Sequence, residues 1–219
     1  MITDPEKYSI TEFMKYARNE IKNDRRVLDA GAGNKPYRQF FLHTNYESTD
    51  IKLNDHTFVS NLNNIPKPSN YYDAVINTQV LEHVENPEKV LKEFNRILKK
   101  GGKLFLTAPQ GWGIHEEPYN YFYFTKYGLE ILFKKAGFNI IFINPRGGIF
   151  WYLSALISKL PSYLINQINN KRRKIIYLPI YAILKPFCNY LIPAIFFYLD
   201  KLDKNRRFTL GYACYCIKP

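Results

Sequence analysis

The chain has 219 residues, 46% hydrophobic and 23% charged, which excludes a disordered or collagen-like polymer and leaves enough length for a substantial core. Three cysteines, Cys188, Cys214 and Cys216, with no CxxC pair, support neither a disulfide framework nor a zinc site and suit a reducing cytosol. The net charge of +12 is unevenly spread: residues 1–148 hold 20 Lys and Arg against 17 Asp and Glu, and residues 149–219 hold 11 against 2. Such a basic balance suits nucleic acid or an anionic membrane as partner. The first residues carry no apolar run behind a basic start, so no signal peptide is expected.

In chain order, Ile10, Phe13, Met14, Ala17 and Ile21 have helical spacing. Arg26 to Gly31 is a short apolar run ending in a glycine turn, and Tyr37 to Leu42 reads as the helix behind it. Tyr46 to Ile51 and Thr57 to Leu62 read as short strands, and Tyr72 to Thr78 as a buried one. Asn86 and Pro87 open a helix with the apolar stripe Val90, Leu91, Phe94, Ile97 and Leu98, which runs to Lys100 and stops at Gly101. Lys103 to Pro109 is the next strand, and Thr125 caps a helix through Ala136 that Gly137 closes. Phe138 to Ile143 and Phe208 to Ile217 complete the strands. Strands alternating with helices predict an α/β fold, a mostly parallel sheet in a three-layer α/β/α sandwich.

Val27 to Gly33 ends a strand in GxG, which lets a ligand approach the backbone closely at the carboxyl edge of the sheet. A nicotinamide or flavin fingerprint needs a third glycine where this chain has Pro36, which argues against a pyrophosphate on the helix N-terminus. Asp50 ends the following strand, seventeen residues beyond Gly33, where a carboxylate can accept two hydrogen bonds from a ribose diol. Taken singly, these are also what a ligand-free turn and a surface aspartate look like. Together they ask for a nucleoside without a pyrophosphate, and S-adenosylmethionine fits that description.

These stretches, with Glu47 to Ile51, Asp73 to Val84 and Pro87 to Leu106, resemble class I S-adenosylmethionine-dependent methyltransferases of the type 11 kind, over about residues 24–145. The run His115 to Thr125 resembles a branch linked to cell-surface glycan and lipid pathways; that branch has Asp and Arg where this chain has Asn120 and Tyr123. The resemblance implies a Rossmann-like sheet of seven strands in the order 3-2-1-4-5-7-6, the last antiparallel, with a helical insertion between strands 6 and 7. It further implies that Asp29, Gly31 and Gly33 shape the cofactor loop and that Asp50 binds the ribose. Asn61 and Leu62 would border the adenine, and Thr78 and Gln79 would face the methionine end.

For a hydroxyl acceptor, a base near the attacking oxygen helps, and His115, just beyond the fifth strand, is the candidate catalytic residue. The plainer reading is a loop histidine that closes the site. Glu116, Glu117, Tyr119 and Tyr121 are candidates for the acceptor pocket, and His83 reads as a packing and hydrogen-bonding residue. No metal ligand is assigned.

The chain reads as one domain, 1–219, carrying a basic, aromatic insertion over 149–207. Ile175 to Leu199 has Lys185 as its only charge and holds Pro179, Pro186 and Pro193, so a straight span is disfavoured. Trp151 and the basic clusters at 171–174 and 201–207 suit a headgroup region, with Phe196 and Phe197 expected on the lipid side. A proline-broken amphipathic segment in an anionic membrane interface, a helical cap over the acceptor, and a true span or re-entrant hairpin are the three readings. The preferred function is O-methylation of a small-molecule or lipid-linked glycan acceptor at the cytoplasmic membrane face. An RNA methyltransferase and a non-catalytic membrane-associated scaffold are the alternatives, nucleic acid being disfavoured by the apolar continuity of the insertion. The sequence does not fix an oligomeric state.

Overall fold

The computed structural model describes residues 4–52 and 55–219, and the side chains of Lys171 and Arg173 also lie outside the described residues. One sheet holds β1 (Arg26–Ala30), β2 (Asn45–Asp50), β3 (Phe58–Val59), β4 (Tyr72–Thr78), β5 (Leu98–Pro109), β6 (Asn139–Pro145) and β7 (Gly211–Ile217), in the expected order 3-2-1-4-5-7-6. Strands β1 to β5 pair in parallel, whereas β7 runs antiparallel to β5, from Lys103 opposite Ile217 to Pro109 opposite Gly211. The helices are α1 (Pro5–Glu20), α2 (Pro87–Ile97), α3 (Lys126–Lys135), α4 (Ile149–Asn166), α5 (Lys171–Pro186) and α6 (Ile192–Leu199).

Alternation along the strands explains why both faces of the sheet are covered. Val27, Ala74, Ile76, Phe105 and Tyr215 turn to one side and pack with Ile10, Phe13, Met14 and Ala17 of α1. Leu28, Val75, Leu104 and Leu106 turn to the other, against Val90, Leu91 and Phe94 of α2 and Leu129 and Phe133 of α3. The caps are as the sequence reads: Asn86 accepts from Lys89 N at 3.0 Å and Thr125 from Gly128 N at 3.1 Å.

Three elements differ from expectation. Helix α2 ends at Ile97 because Leu98 turns extended and pairs with Tyr72, so Leu98 to Lys100 join β5. Pairing with the chain's last residues wins there, since Gly101 N donates to Lys218 O and Lys218 N to Gly102 O. Tyr37 to Leu42 forms only a 3-10 turn, Arg38–Phe41. The strand expected at Thr57 to Leu62 shrinks to Phe58–Val59, because the Asn61 side chain accepts from Asn63 N at 2.9 Å and turns the chain.

The chain divides into two compact units, Ile10–Asn144 with Gly211–Pro219, and Met1–Ser9 with Pro145–Leu210. The first holds the sheet core. In the second, α5 and α6 run on through a π-helical turn, Phe187–Leu191, that follows Pro186. The prolines therefore do not break the segment; one widened turn absorbs the lost backbone hydrogen bond. Phe197 stacks on Trp151 at 5.3 Å, Tyr8 meets both edge-on, and Phe150 meets Phe196 at 5.7 Å. Phe196 and Phe197, expected at the lipid, are thus packing residues within this unit.

Buried Asp200 fastens the start of α4: its carboxylate accepts from Gly148 N at 2.9 and 3.0 Å and from Trp151 N at 3.0 Å. Asp203 accepts from Ile149 N at 2.8 Å. Replacing a capping carboxylate by alanine costs about 1–2 kcal/mol. Asp200→Ala is therefore expected to destabilise by about 2 kcal/mol, read as a lowered urea midpoint followed by tryptophan fluorescence.

Candidate active site

The site begins where β1 ends. Gly31 and Gly33 take φ of +76° and +50°, a left-handed backbone that favours glycine. A Cβ on Gly31 would stand 2.5 Å from Val80, whereas one on Gly33 would meet nothing within 4 Å. The first glycine lets the loop after β4 close in, and the second faces open space. Thr49 O accepts from Gly31 N at 2.9 Å and from Ala32 N at 3.1 Å, and Asp50 Oδ2 accepts from Gly33 N at 3.0 Å. Three successive loop amides are therefore already bonded to the end of β2, and the loop is no cradle for a phosphate.

What it offers instead is carboxylate. Asp50 Oδ1 accepts from Ile51 N at 2.8 Å and Lys52 N at 3.3 Å, which leaves lone pairs on both oxygens. Asp29 is buried beneath the loop and accepts from the Tyr46 hydroxyl at 2.7 Å. Burial pushes the Asp29 carboxyl up to about 6, the Asp50 charge adds to the rise, and the Tyr46 hydrogen bond opposes it. A strand-end carboxylate at Asp50, a buried one at Asp29 beneath the loop and no phosphate nest suit a cationic, hydroxyl-bearing nucleoside such as S-adenosylmethionine.

The other expected residues lie at the same strand ends. Asn61 is exposed and Leu62 buried in the core, both just past β3. Gln79 follows Thr78 with φ +53°, and its Nε2 donates to Thr107 Oγ1 on β5 at 3.0 Å. Buried Asn77, which the sequence did not single out, donates to Ala30 O at 2.7 Å and ties β4 to the glycine loop. Tyr46 was likewise missed, since nothing in a strand tyrosine announces a buried carboxylate beside it.

From Val80 the chain makes a 3-10 turn, Leu81–His83, that brings His83 against His115. The two rings meet edge-to-face with centroids 4.8 Å apart. His83 Nδ1 faces Tyr119 O at 2.8 Å and His115 Nδ1 faces Gly113 O at 3.0 Å. A carbonyl only accepts, so both rings donate from Nδ1, and a neutral ring so held has its lone pair on Nε2. Buried Glu82 completes the group, its Oε1 3.9 Å from His83 Nε2, and its backbone carbonyl accepts from Tyr121 N and Phe122 N. A charged residue inside the apolar Val-Leu-Glu-His-Val run was the overlooked signal for it. Tyr119 and Tyr121 are exposed beside this group, with Tyr121 bonded to Glu85 at 3.4 Å; Glu116 and Glu117 face solvent. A cleft of about 1040 Å³ lies elsewhere, at the amino ends of β1, β4 and β5 around Arg25, Asp73 and Lys99.

Sheet order, glycine loop and acidic strand ends together define a class I S-adenosylmethionine-dependent methyltransferase. A family model described as a methyltransferase domain matches residues 6–142, and the chain belongs to that family. An uncharacterized protein of Methanocaldococcus jannaschii is 31% identical over 159 residues, 68% of each chain. A mitochondrial ubiquinone biosynthesis O-methyltransferase of Dictyostelium discoideum is 30% identical over 90 residues, 37% of this chain and 26% of its own length. Among solved structures, the cyclase SpnF superposes with a TM-score of 0.60 at 16% identity, covering 96% of this chain and 80% of that one. Phosphoethanolamine N-methyltransferase 2 of Haemonchus contortus, in complex with S-adenosyl-L-methionine, gives 0.52 at 16%, covering 94% and 52%. The two share the fold with this chain while differing from each other in chemistry, so the fold leaves the acceptor open.

The raised Asp29 carboxyl gives a pH test. Its ionisation in the fold costs at most about 3 kcal/mol, absent below the unfolded value near 3.8 and complete above about 6. Stability from this group therefore falls as pH rises through that window. Asp29→Asn removes the slope, so its melting temperature should gain on the wild type between pH 4 and pH 7 while its S-adenosylmethionine affinity falls.

Proposed function

We propose that the chain methylates a hydroxyl of a small-molecule or lipid-linked glycan acceptor while bound peripherally to the cytoplasmic face of an anionic membrane. The observation that carries the membrane part is α5. Among its described residues none is buried, and Ile176, Ile180, Ile183 and Phe187 form a stripe at helical spacing, 69%, 53%, 73% and 49% exposed. Apolar surface of that extent marks an interaction site. The run Lys174–Leu202 is long and apolar enough to cross a membrane by length and composition. Lys185 within it and basic residues on both flanks favour lying along the headgroups over crossing. No acidic residue occurs between Glu130 and Asp200, so nothing in that stretch repels anionic lipid.

When bound, S-adenosylmethionine supplies a methyl group on a sulfonium, already activated for displacement. The chain's part is to align donor and acceptor and exclude water, which lowers the barrier by several kcal/mol. Asp50 uses its remaining lone pairs on the ribose hydroxyls, Asp29 adds negative charge under the loop, and Gly31 and Gly33 keep the cleft open. Asn61 and Leu62 border the adenine, and Thr78 and Gln79 the methionine end. With Nδ1 committed to Gly113 O, His115 takes the acceptor's proton on Nε2. The exposed faces of Tyr119, Tyr121 and Phe122 suit a sugar ring, with Glu116 and Glu117 within reach of its hydroxyls.

Two measurements test this. Asp50→Ala should weaken S-adenosylmethionine by about 10- to 150-fold, the scale of hydrogen bonds to a charged group, in calorimetric titration. Equal affinity in wild type and variant refutes the ribose assignment. The protein should co-sediment with anionic liposomes and bind neutral ones less, and Ile176→Asp with Ile183→Asp should release it from both. Wild type remaining in the supernatant with every lipid at low salt overturns the membrane reading, and tight binding to RNA under the same conditions favours an RNA acceptor.

A further inference from the structure

We propose that Glu82, His83 and His115 form a binding site for a divalent transition-metal ion, zinc by preference, at the carboxyl edge of the sheet. One candidate ligand atom from each lies within 4.8 Å of those of the other two. Two imidazoles and a carboxylate with an open fourth position are the donor set of catalytic zinc sites. The ring orientation supports this reading independently of the distances. Metal-ligating histidines donate their second ring N–H to a carbonyl or carboxylate, which fixes the tautomer and aims the lone pair. Here both do so, His83 to Tyr119 O and His115 to Gly113 O, from two loops that approach each other only in the fold. Two imidazoles turned face to edge, beside a fully buried glutamate side chain, gather three donor groups where a cation would sit.

The geometry needs a modest closure. Zinc bonds of about 2.1 Å in a tetrahedron set ligands roughly 3.4 Å apart, against 3.9 Å already between His83 Nε2 and Glu82 Oε1. The three ligand atoms lie within 4.8 Å of one another, so the widest pair closes by up to about 1.4 Å on binding. Because the ligands come from residues 82, 83 and 115 and none is cysteine, no short spacing motif reveals them in the sequence.

The site goes beyond the acceptor reading and stands without it. Where a hydroxyl acceptor fills the open position, the bound ion lowers its pKa toward neutrality and the hydroxyl releases its proton to solvent. The oxygen then forms a bond to the methyl carbon as the carbon–sulfur bond breaks, and that electron pair stays on sulfur. His115 thereby serves deprotonation as a ligand instead of as the base itself.

The test uses full-length, chelator-stripped protein, titrated with zinc chloride in a calorimeter and with cobalt chloride in a spectrophotometer. One zinc per chain is expected, with visible cobalt bands of tetrahedral intensity. His83→Ala and His115→Ala should each weaken zinc at least 10-fold; Glu82→Gln should also weaken it, and His43→Ala, outside the group, should not. S-adenosylmethionine titrations of the same samples separate a misfolded variant, or failure of the methyltransferase reading, from failure of the metal site. Should the alanine variants prove misfolded, the wild type decides by NMR, because the chain has only four histidines. Zinc must then move two ring signals and leave two in place. No saturable zinc binding by the wild type, binding that survives loss of both histidines, or movement of all four signals or none overturns the proposal.

Discussion

Everything at the catalytic edge depends on how the chain leaves β1. Three consecutive amides, of Gly31, Ala32 and Gly33, are tied to one carbonyl and one carboxylate at the end of β2. That fastening forces left-handed backbone at both glycines and turns the loop's donors inward. A dinucleotide site keeps such amides free for its pyrophosphate. Here they are used within the protein, and Asp50, with lone pairs to spare, stands at the loop in their place. The preference for a cationic, phosphate-free nucleoside is thus a matter of where backbone hydrogen bonds go.

The fold was legible because its signals were repeated and local. Tyr72 to Thr78, the Asn86 and Thr125 caps and the alternation that splits Leu28 from Val27 are each decided by residues close in sequence. Where the reading failed, a distant partner had decided. Leu98 suits the stripe of α2 as well as it suits β5, and only pairing with Tyr72 and the chain's last residues settles the choice. Phe196 and Phe197 look like membrane-facing residues until Trp151 and Phe150, some 45 residues earlier, stack on them.

The site was legible by halves. Glycines and strand-end acids announce themselves through spacing, so the meeting of the glycine loop with Asp50 could be drawn from Val27 to Asp50 alone. The acceptor side depends on loops whose register follows from carbonyls such as Tyr119 O and Gly113 O, which no side-chain pattern reports. Backbone acceptors orient His83 and His115, and a sequence does not show which carbonyls a loop will turn inward. The same fold carries a cyclase and an N-methyltransferase.

The capping of α4 has a consequence for the surface. Asp200 and Asp203 are the two acids of the stretch 149–219, and both are turned onto backbone amides at Gly148 to Trp151 and at Arg206. The same stretch contains no histidine. Its outward charge comes from lysine and arginine alone, which stay protonated throughout the neutral range. The positive charge of this stretch is accordingly screened by salt but unchanged by pH around neutrality.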